Sequence, residues 1–350
     1  MPDSNLDLDA QNDDDLTDVS AVGSMDSSQT QTLSATHNVQ KVEAGERIDK
    51  LATIVFDGHS RSELQGWITS GDLTVNGQTV KPKYRVSVGD ELALSVTLTP
   101  HREDMPENIP LDVMFEDEAV LVINKPVGMV VHPGAGNWTG TLVNALLYHY
   151  PEQAHLPRAG LVHRIDKDTS GLLIIGKTKT AQLDLQDQLK DKTVYRHYKC
   201  VVAGDKDSLM RQRTIDAPIG RHRTHRTKMA VTGATGNKPA VTHIVDVTDI
   251  HPAYSLLDIE LETGRTHQIR VHLSHIGHPI IGDAVYGNRS QLRAGLTDEQ
   301  RHTIQTFPRQ ALHAYALGFE HPITGEDIEV TAPMPDDMQG LIDVLAQDAS

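Results

Sequence analysis

The sequence has little of what secreted, membrane-spanning and thiolate-metal proteins need. Its 350 residues include a single cysteine, Cys200, which excludes an internal disulfide and a cysteine-based zinc site. The apolar runs are short, such as the one at 172–175, whereas a helix that crosses a bilayer needs about 20 apolar residues. No basic start followed by an apolar stretch marks a secretory signal. We therefore expect a protein of a reducing compartment, most simply the cytoplasm, that has no membrane partner.

Basic residues are absent from the first 40 positions, which contain eight aspartates and many Ser, Gln, Asn and Thr residues. This segment carries half of the net charge of −16. Such a composition buries too little apolar surface to offset the entropy of ordering. Residues 1–40 are therefore predicted to be a disordered acidic tail, either solubilising or functional.

The basic residues are concentrated in the middle of the chain. Residues 158–230 contain 16 of the 32 Lys and Arg residues and only eight acidic ones. The densest run, 221–228, includes Arg221, Arg223, Arg226 and Lys228. A solvated loop without a partner is one interpretation of this run. A polyanion-binding face is the favoured one, because each neutralised phosphate releases counterions.

Residues 45–100 are predicted to form a small module. Apolar residues recur at helical spacing within 48–56, and a second helix is predicted to begin near Ser60 as its cap. Asn-Gly at 76–77, between two short strand-like stretches, predicts a hairpin, and a further strand follows residue 90. The unit resembles the RNA-binding module first found in a small-subunit ribosomal protein; a generic α/β domain is the alternative. We expect Arg61 and Lys81 to contact RNA.

A polar linker is predicted at 101–110, followed by a larger domain at 111–340. Strand-like runs in this domain alternate with fewer helical patches, and the regular spacing of β-α-β units is absent. This pattern predicts an α+β fold, built on a largely antiparallel mixed sheet flanked by helices.

Four stretches of this domain contain residues suited to chemistry. Residues 163–171 (HRIDKDTSG) precede an apolar strand, which would pin the loop to a rigid element; a surface salt-bridge cluster is the alternative. Residues 261–272 (LETGRTHQIRVH) indicate a strand, a turn and a helix that Thr266 could cap. Residues 124–134 include Lys125, and residues 195–202 include Tyr198, which in isolation is more typical of a packed core tyrosine.

Together the four stretches resemble the pseudouridine synthases that modify ribosomal RNA. The resemblance implies that Asp166 is the nucleophile, that Arg270 lies against it and keeps it ionised, and that Tyr198 stacks on the target base and could take the C5 proton. It also implies that Arg164 enters the RNA helix as the base is expelled. The further residues expected to contact RNA are Lys125, Arg265 and His267.

Isomerising uridine breaks the N1–C1′ bond, turns the uracil and joins C5 to C1′. The reaction involves no redox change and no net hydration, so no cofactor and no metal are expected. His272 and His275, three residues apart on the expected helix, could face a common ligand, but no His-Glu-x-x-His pattern accompanies them. Capping, packing and phosphate contacts are the favoured interpretation of these histidines.

The resemblance therefore predicts isomerisation of uridines in 23S large-subunit ribosomal RNA, at several positions clustered in one stem-loop. The expected partner is this RNA or its precursor particle, and the expected state is a monomer. Two alternatives remain open: a synthase directed to tRNA, and a non-catalytic RNA-binding assembly factor on the same fold.

Overall fold

The computed structural model describes residues 31–56, 59, 61–98, 105–133, 137–225, 227–287 and 292–347. The described residues form an N-terminal module, 31–98, and a larger domain that begins at 105. Within these ranges, none of the helices combines the length and the apolar character that crossing a bilayer requires.

The N-terminal module packs two helices against a three-stranded antiparallel sheet. Its elements are β1 (Gln31–Asn38), α1 (Ile48–Val55), α2 (Arg61–Ser70), β2 (Leu73–Val75) and β3 (Glu91–Leu98). The strand order is β1-β3-β2. Apolar residues of both helices and all three strands form its core, with Ile48, Leu64 and Ile68 fully buried. Both helices were predicted; Ser60, the predicted cap, lies outside the described residues.

Strand β1 corrects the prediction that residues 1–40 are a disordered tail. Every residue of β1 is in register with β3, from Gln31 opposite Leu98 to Asn38 opposite Glu91. Leu33 and Ala35 pack against the module core, while Thr32, Ser34 and Thr36, which alternate with them, are exposed. A half-buried strand needs side chains that alternate between the buried and the exposed face. This alternation is hard to recognise in so polar a segment. The module thus begins at 31 rather than 45, and residues 1–30 lie outside the described residues.

The predicted hairpin around residues 76–77 forms only a single β-bridge. Asn76 and Gly77 have the positive φ angles, 50° and 74°, that such a turn requires, and Val75 bridges Gln78. Strand β2 pairs with β3 instead of continuing that ladder. Pro82 cannot donate to a strand ladder, and the chain around it turns back to contact the start of α1.

The larger domain is built on one nine-stranded sheet. Its strands are β4 (Val113–Glu116), β5 (Val120–Lys125), β6 (Ser170–Gly176), β7 (Tyr195–Ala203), β8 (Thr214–Asp216), β12 (Val241–His251), β13 (Tyr254–Leu261), β14 (Leu312–Glu320) and β15 (Asp327–Thr331). The order is β4-β5-β6-β14-β7-β13-β12-β8, with β15 also paired to β14. All pairings are antiparallel except β6 with β14, which confirms the predicted α+β fold with a largely antiparallel sheet.

Three short strands form a separate small sheet, called here the basic hairpin. They are β9 (Ile219–His222), β10 (Met229–Ala230) and β11 (Ala234–Lys238), and β9 lies between the other two. The basic run begins on β9 with residues 221–222, and its described residues 223–225 and 227–228 lie between β9 and β10.

Helices cover both faces of the large sheet. They are α3 (Leu142–His149), α4 (Lys179–Asp191), α5 (Lys206–Met210), α6 (Gln268–His275), α7 (Asp298–Thr306) and α8 (Asp336–Leu345). Helix α4 buries Ala181 and Leu185 against one face of β5, β6 and β14. Helices α3, α6 and α8 pack on the main core at the opposite face.

Residues 105–110, expected to belong to a linker, pack on the larger domain. The Glu107 carboxylate accepts hydrogen bonds from the amide of Gly140, and the Asn144 side chain donates to the carbonyl of Met105. Ile109 contacts the main core. This stretch therefore belongs to the domain, and residues 101–104 lie outside the described residues.

Candidate active site

The loop that contains Asp166 is fixed at both ends. Ile165 is buried in the main core, and the amide of Thr169 donates to the carbonyl of Asp166 at 3.1 Å, closing a tight turn. Gly171 follows at the start of β6 with φ +115°, and a Cβ there would lie 2.2 Å from the carbonyl oxygen of Ala314. Glycine is thus required where β6 meets β14, and the turn and strand together hold the aspartate in one position.

Arg270, on α6, lies between two carboxylates. Its Nη1 donates to Asp166 Oδ2 at 2.9 Å, while Nε and Nη2 donate to Asp283 at 2.7 and 3.0 Å. The amides of Val285 and Tyr286 donate to Asp283 in turn. Burial opposes ionisation of Asp283, but the hydrogen bonds from Arg270 lower the pKa of this carboxyl below its ordinary value. The paired guanidinium is therefore oriented toward Asp166.

Asp166 faces a cleft of about 750 Å³, a size within the range of ligand pockets. The carboxyl side chain retains 17% of its exposure, against 7% for Arg270. Tyr198 on β7, Arg164 and Arg265 also line the cleft. The structure thus brings together the three residues that the resemblance assigned to catalysis.

Tyr198 is almost fully buried, with 6% exposure. Burial raises the pKa of its phenol, and the negative charge of Asp166 adds to this effect. The hydroxyl therefore stays protonated at neutral pH. Arg164, by contrast, is exposed at the cleft.

His267 lies at the N-terminus of α6 in a left-handed conformation, with φ 58°. Its Nδ1 is hydrogen-bonded to the hydroxyl of Tyr286 at 2.8 Å, and its Nε2 lies 3.8 Å from Asp166 Oδ1. Burial lowers the pKa of this imidazole despite the nearby Asp166. The helix begins at Gln268, one residue later than predicted, so His267 rather than Thr266 occupies the N-cap position. The side chain of Gln268 accepts a hydrogen bond from the amide of Arg265 at this turn.

The prediction that Lys125 contacts RNA is wrong. The side chain is fully buried, and Nζ donates to the carbonyls of Pro126 at 2.6 Å and Lys167 at 3.0 Å. Burial lowers its pKa to about 7, although the charges of Asp168 and Asp166 oppose the change. Strand β5 is buried on both faces, so its last side chain points beneath the Asp166 loop and supports the loop's backbone.

The other predicted RNA contacts differ in exposure. Arg221 and Arg223 are exposed, and no ion pair involves either of them in the described part of the chain. The ammonium of Lys228 already has a partner within the protein, because its Nζ donates to the carbonyl of Val285 at 2.9 Å. Arg226 lies outside the described residues.

In the N-terminal module, Lys81 is exposed. Arg61 is about half exposed and pairs with the buried carboxylate of Asp49 at 2.8 Å. The guanidinium of Arg61 therefore has a structural partner already, whereas the ammonium of Lys81 has no ion pair among the described residues.

His272 and His275 do not share a ligand. His272 is buried, with Nδ1 bonded to Thr242 Oγ1 and Nε2 to the carbonyl of Ala217, both at 2.9 Å. His275 is exposed. Among the described residues, no cluster of His, Cys, Asp and Glu side chains is arranged to hold a metal ion.

Sequence reasoning missed Asp283, Tyr286 and Arg196. Arg196 lines the cleft and donates from Nη2 to the carbonyls of Leu261 and Glu262 at 3.2 and 3.3 Å. The two-residue periodicity of β7 could have identified Arg196 as a site residue, because Arg196 lies two residues before Tyr198 and on the same face of the strand. No local pattern distinguishes Asp283 and Tyr286, which meet the site only through the tertiary fold.

Two family models match the chain: the RNA pseudouridylate synthase model over residues 119–275 and the S4 domain model over residues 46–92. Among curated proteins, the chain is similar to three that are each named ribosomal large subunit pseudouridine synthase D. The one from Vibrio parahaemolyticus is 44% identical and the one from Escherichia coli 43%, each over 91% of this chain and 96% of the relative. The one from Pseudomonas aeruginosa is 46% identical over 87% of this chain and 93% of the relative.

Among solved structures, the fold is similar to that of human RNA Pseudouridylate Synthase Domain Containing 4. The TM-score is 0.51 and the identity is 23%, over 67% of this chain and 92% of the human chain. At this identity the likeness concerns the fold alone.

Proposed function

The chain belongs to the RNA pseudouridylate synthase family, and from this membership we propose that it isomerises uridines of 23S large-subunit ribosomal RNA. It is a pseudouridine synthase with an N-terminal S4 domain. The relatives' names and the high coverage of both chains support the choice of RNA. We extend the proposal to several uridines of one stem-loop, and to a monomer that acts in the cytoplasm on this RNA or its precursor particle.

The observation that carries the mechanism is the Asp166 carboxylate, which faces the cleft and lies 2.9 Å from the Arg270 guanidinium. A carboxylate must be ionised to attack C1′ or C6, or to act first as a base on the sugar. The hydrogen bond from Arg270 Nη1 to Asp166 Oδ2 fixes the direction of this carboxylate. In each route the N1–C1′ bond breaks and the C5–C1′ bond forms, while a proton leaves C5 and another is gained at N1.

The target nucleotide must leave its helix to reach Asp166. Flipping a paired base costs a few kcal/mol, and a group that fills the gap offsets part of this cost. Arg164 is exposed at the cleft, and we assign it this role. The cleft volume of about 750 Å³ leaves room for a nucleoside.

Tyr198 lines the same cleft as Asp166. Its raised pKa keeps the phenol protonated, which disfavours direct acceptance of the C5 proton and leaves stacking of its ring on the uracil. We therefore assign Tyr198 the packing role of the two that the sequence suggested.

The remaining proposed RNA contacts surround this centre. They are Arg265 and His267 at the cleft, Arg221, Arg223 and Lys228 in the basic hairpin, and Arg61 and Lys81 in the N-terminal module; Arg226, which lies outside the described residues, is kept as a further proposed contact. Cationic side chains in these places would neutralise phosphates and position the RNA.

The test is a map of pseudouridines in total ribosomal RNA and tRNA from cells with and without the protein. We expect a cluster of pseudouridines in one stem-loop of the large-subunit RNA to disappear while tRNA stays unchanged. Loss of tRNA sites with intact ribosomal RNA would contradict the proposal and favour a tRNA-directed synthase.

A further inference from the structure

Tyr286 lies where the basic hairpin meets the Asp166 site. Its hydroxyl oxygen accepts a hydrogen bond from the amide of Met229, on β10, at 2.8 Å. The same hydroxyl is bonded to Nδ1 of His267 at 2.8 Å. The Arg270 guanidinium lies over its ring, 5.1 Å from the centroid. One side chain therefore contacts a strand of the hairpin and both residues that approach Asp166.

The hydrogen bonds restrict where the protons lie. An amide can only donate, so the Met229 bond uses a lone pair of the hydroxyl and leaves its single proton for His267. His267 then accepts at Nδ1. Since burial lowers the pKa of His267, the ring is neutral and its one proton is on Nε2, the nitrogen 3.8 Å from Asp166 Oδ1.

The opposite tautomer fits these contacts poorly. A proton on Nδ1 would point at the hydroxyl oxygen, and none of the described hydrogen bonds would then use the hydroxyl proton of Tyr286. It would also turn the lone pair of Nε2 toward the carboxylate of Asp166, so that two acceptors would face each other.

The backbone at His267 supports a specific use of this side chain. A non-glycine residue in the left-handed region carries backbone strain, and N-terminal helix positions usually hold a Ser, Thr, Asp or Asn that caps the helix. His267 has φ 58° and makes no capping hydrogen bond. Its side chain instead reaches Tyr286 and Asp166.

We propose that Tyr286 is a positioning residue that holds His267 in the Nε2–H tautomer facing Asp166 and links this arrangement to the basic hairpin. The effect on catalysis rests on the proposed function, whereas the tautomer does not. Histidine Nε2–H is then the second donor directed at the carboxylate, beside Arg270 Nη1.

A second contact joins the hairpin to the same loop. Lys228 Nζ donates to the carbonyl of Val285 at 2.9 Å, and the amide of Val285 donates to Asp283, the partner of Arg270. A shift of the hairpin on binding RNA would thus reach Asp166 through both His267 and Arg270.

The test compares the full-length protein with Tyr286→Phe, using ¹⁵N-labelled histidine and NMR near neutral pH. The His267 signals are assigned by their loss in His267→Gln. We expect the Nε2–H tautomer in the parent protein and a shift toward a mixture of tautomers in Tyr286→Phe. The matched control is Tyr150→Phe, which removes a hydroxyl bonded to Glu116, and it should leave the His267 signals unchanged.

The activity assay uses an unmodified transcript of the large-subunit ribosomal RNA. Loss of the hydrogen bond that orients His267 beside the reacting carboxylate should lower kcat of Tyr286→Phe about tenfold, with little change in KM. The same substitution should have little further effect in a His267→Gln background. An Nδ1–H tautomer in the parent, or His267 signals unaffected by Tyr286→Phe, would overturn the inference. Absence of conversion by the parent protein would instead count against the proposed substrate.

Discussion

At the scale of single residues, the orientation of Asp166 depends on Asp283, a carboxylate that lies behind Arg270 and is not among the residues that line the cleft. Asp283 accepts two hydrogen bonds from Arg270, and its side chain is almost completely buried. A guanidinium held by a bidentate pair has little freedom to rotate. Asp283, which follows α6 in the chain, therefore controls the orientation of Asp166 indirectly, through Arg270.

Substituting Asp283→Asn tests this dependence. Loss of a charge-assisted pair should let Arg270 turn away from Asp166 and lower kcat roughly 10- to 100-fold. Single-turnover kinetics on the ribosomal RNA transcript would measure the effect. The matched control is Asp337→Asn, which removes a similar bidentate pair with Arg309; an equal loss of kcat in both variants would argue against a specific role for Asp283.

Lys125 gives a prediction about pH. Its folded-state pKa of about 7 lies below the ordinary value of 10.5, so between these values the unfolded chain binds more protons. The free energy of unfolding should therefore gain a contribution that rises with pH from about 7 to about 10 and is flat below that window.

Urea unfolding of Lys125→Met across this range would measure that contribution. The variant lacks the titrating group, so the parent protein should gain stability relative to the variant as the pH rises through the window. Lys206→Met, at an exposed lysine, serves as the control. A constant difference between the parent and Lys125→Met at every pH would contradict the assignment.

At the scale of elements, the basic hairpin combines exposed cations with contacts to the site. Arg221 lies on β9 and Arg223 follows it, and both are exposed, whereas Lys228 and Met229 contact the loop at 285–286. Met229 lies directly opposite Arg221 in this small sheet, so the exposed cations lie beside the contacts that attach the sheet to the active site.

The double variant Arg221→Ala, Arg223→Ala should bind RNA more weakly and with less dependence on salt. If each arginine neutralises one phosphate, the slope of log K against log salt should decrease by about 1.4 for single-stranded RNA. Filter binding at several salt concentrations would measure this slope, with Lys206→Ala, Arg211→Ala as the control. An unchanged slope would show that these arginines do not contact phosphates.

Sequence reasoning located elements whose signal is local and missed residues whose role is tertiary. The apolar run at 172–175 and the helical spacing within 48–56 predicted β6 and α1, because burial imposes a periodicity on the chain. Strand β1 was missed because composition was weighed above its weak alternation. Lys125 was misassigned because the burial of β5 on both faces cannot be read from one polar residue at its end.

At the scale of the whole molecule, an acidic protein carries separate basic regions that we expect to contact RNA. The net charge is −16, yet residues 158–230 carry an excess of basic residues. The N-terminal module contacts the larger domain through the ion pair of Glu63 with Lys179 at 2.8 Å. Overall acidity should limit non-specific binding, while the local cations steer RNA toward the cleft.

The central claim is that the Asp166 carboxylate, oriented by Arg270, performs the isomerisation. The most direct test is tritium release from C5-labelled uridine in the ribosomal RNA transcript, measured with the parent protein and Asp166→Asn, together with RNA affinity. We expect Asp166→Asn to bind the transcript within about twofold of the parent, since the substitution leaves the phosphate contacts in place, and to release no tritium. Release by Asp166→Asn at the parent rate would contradict the account.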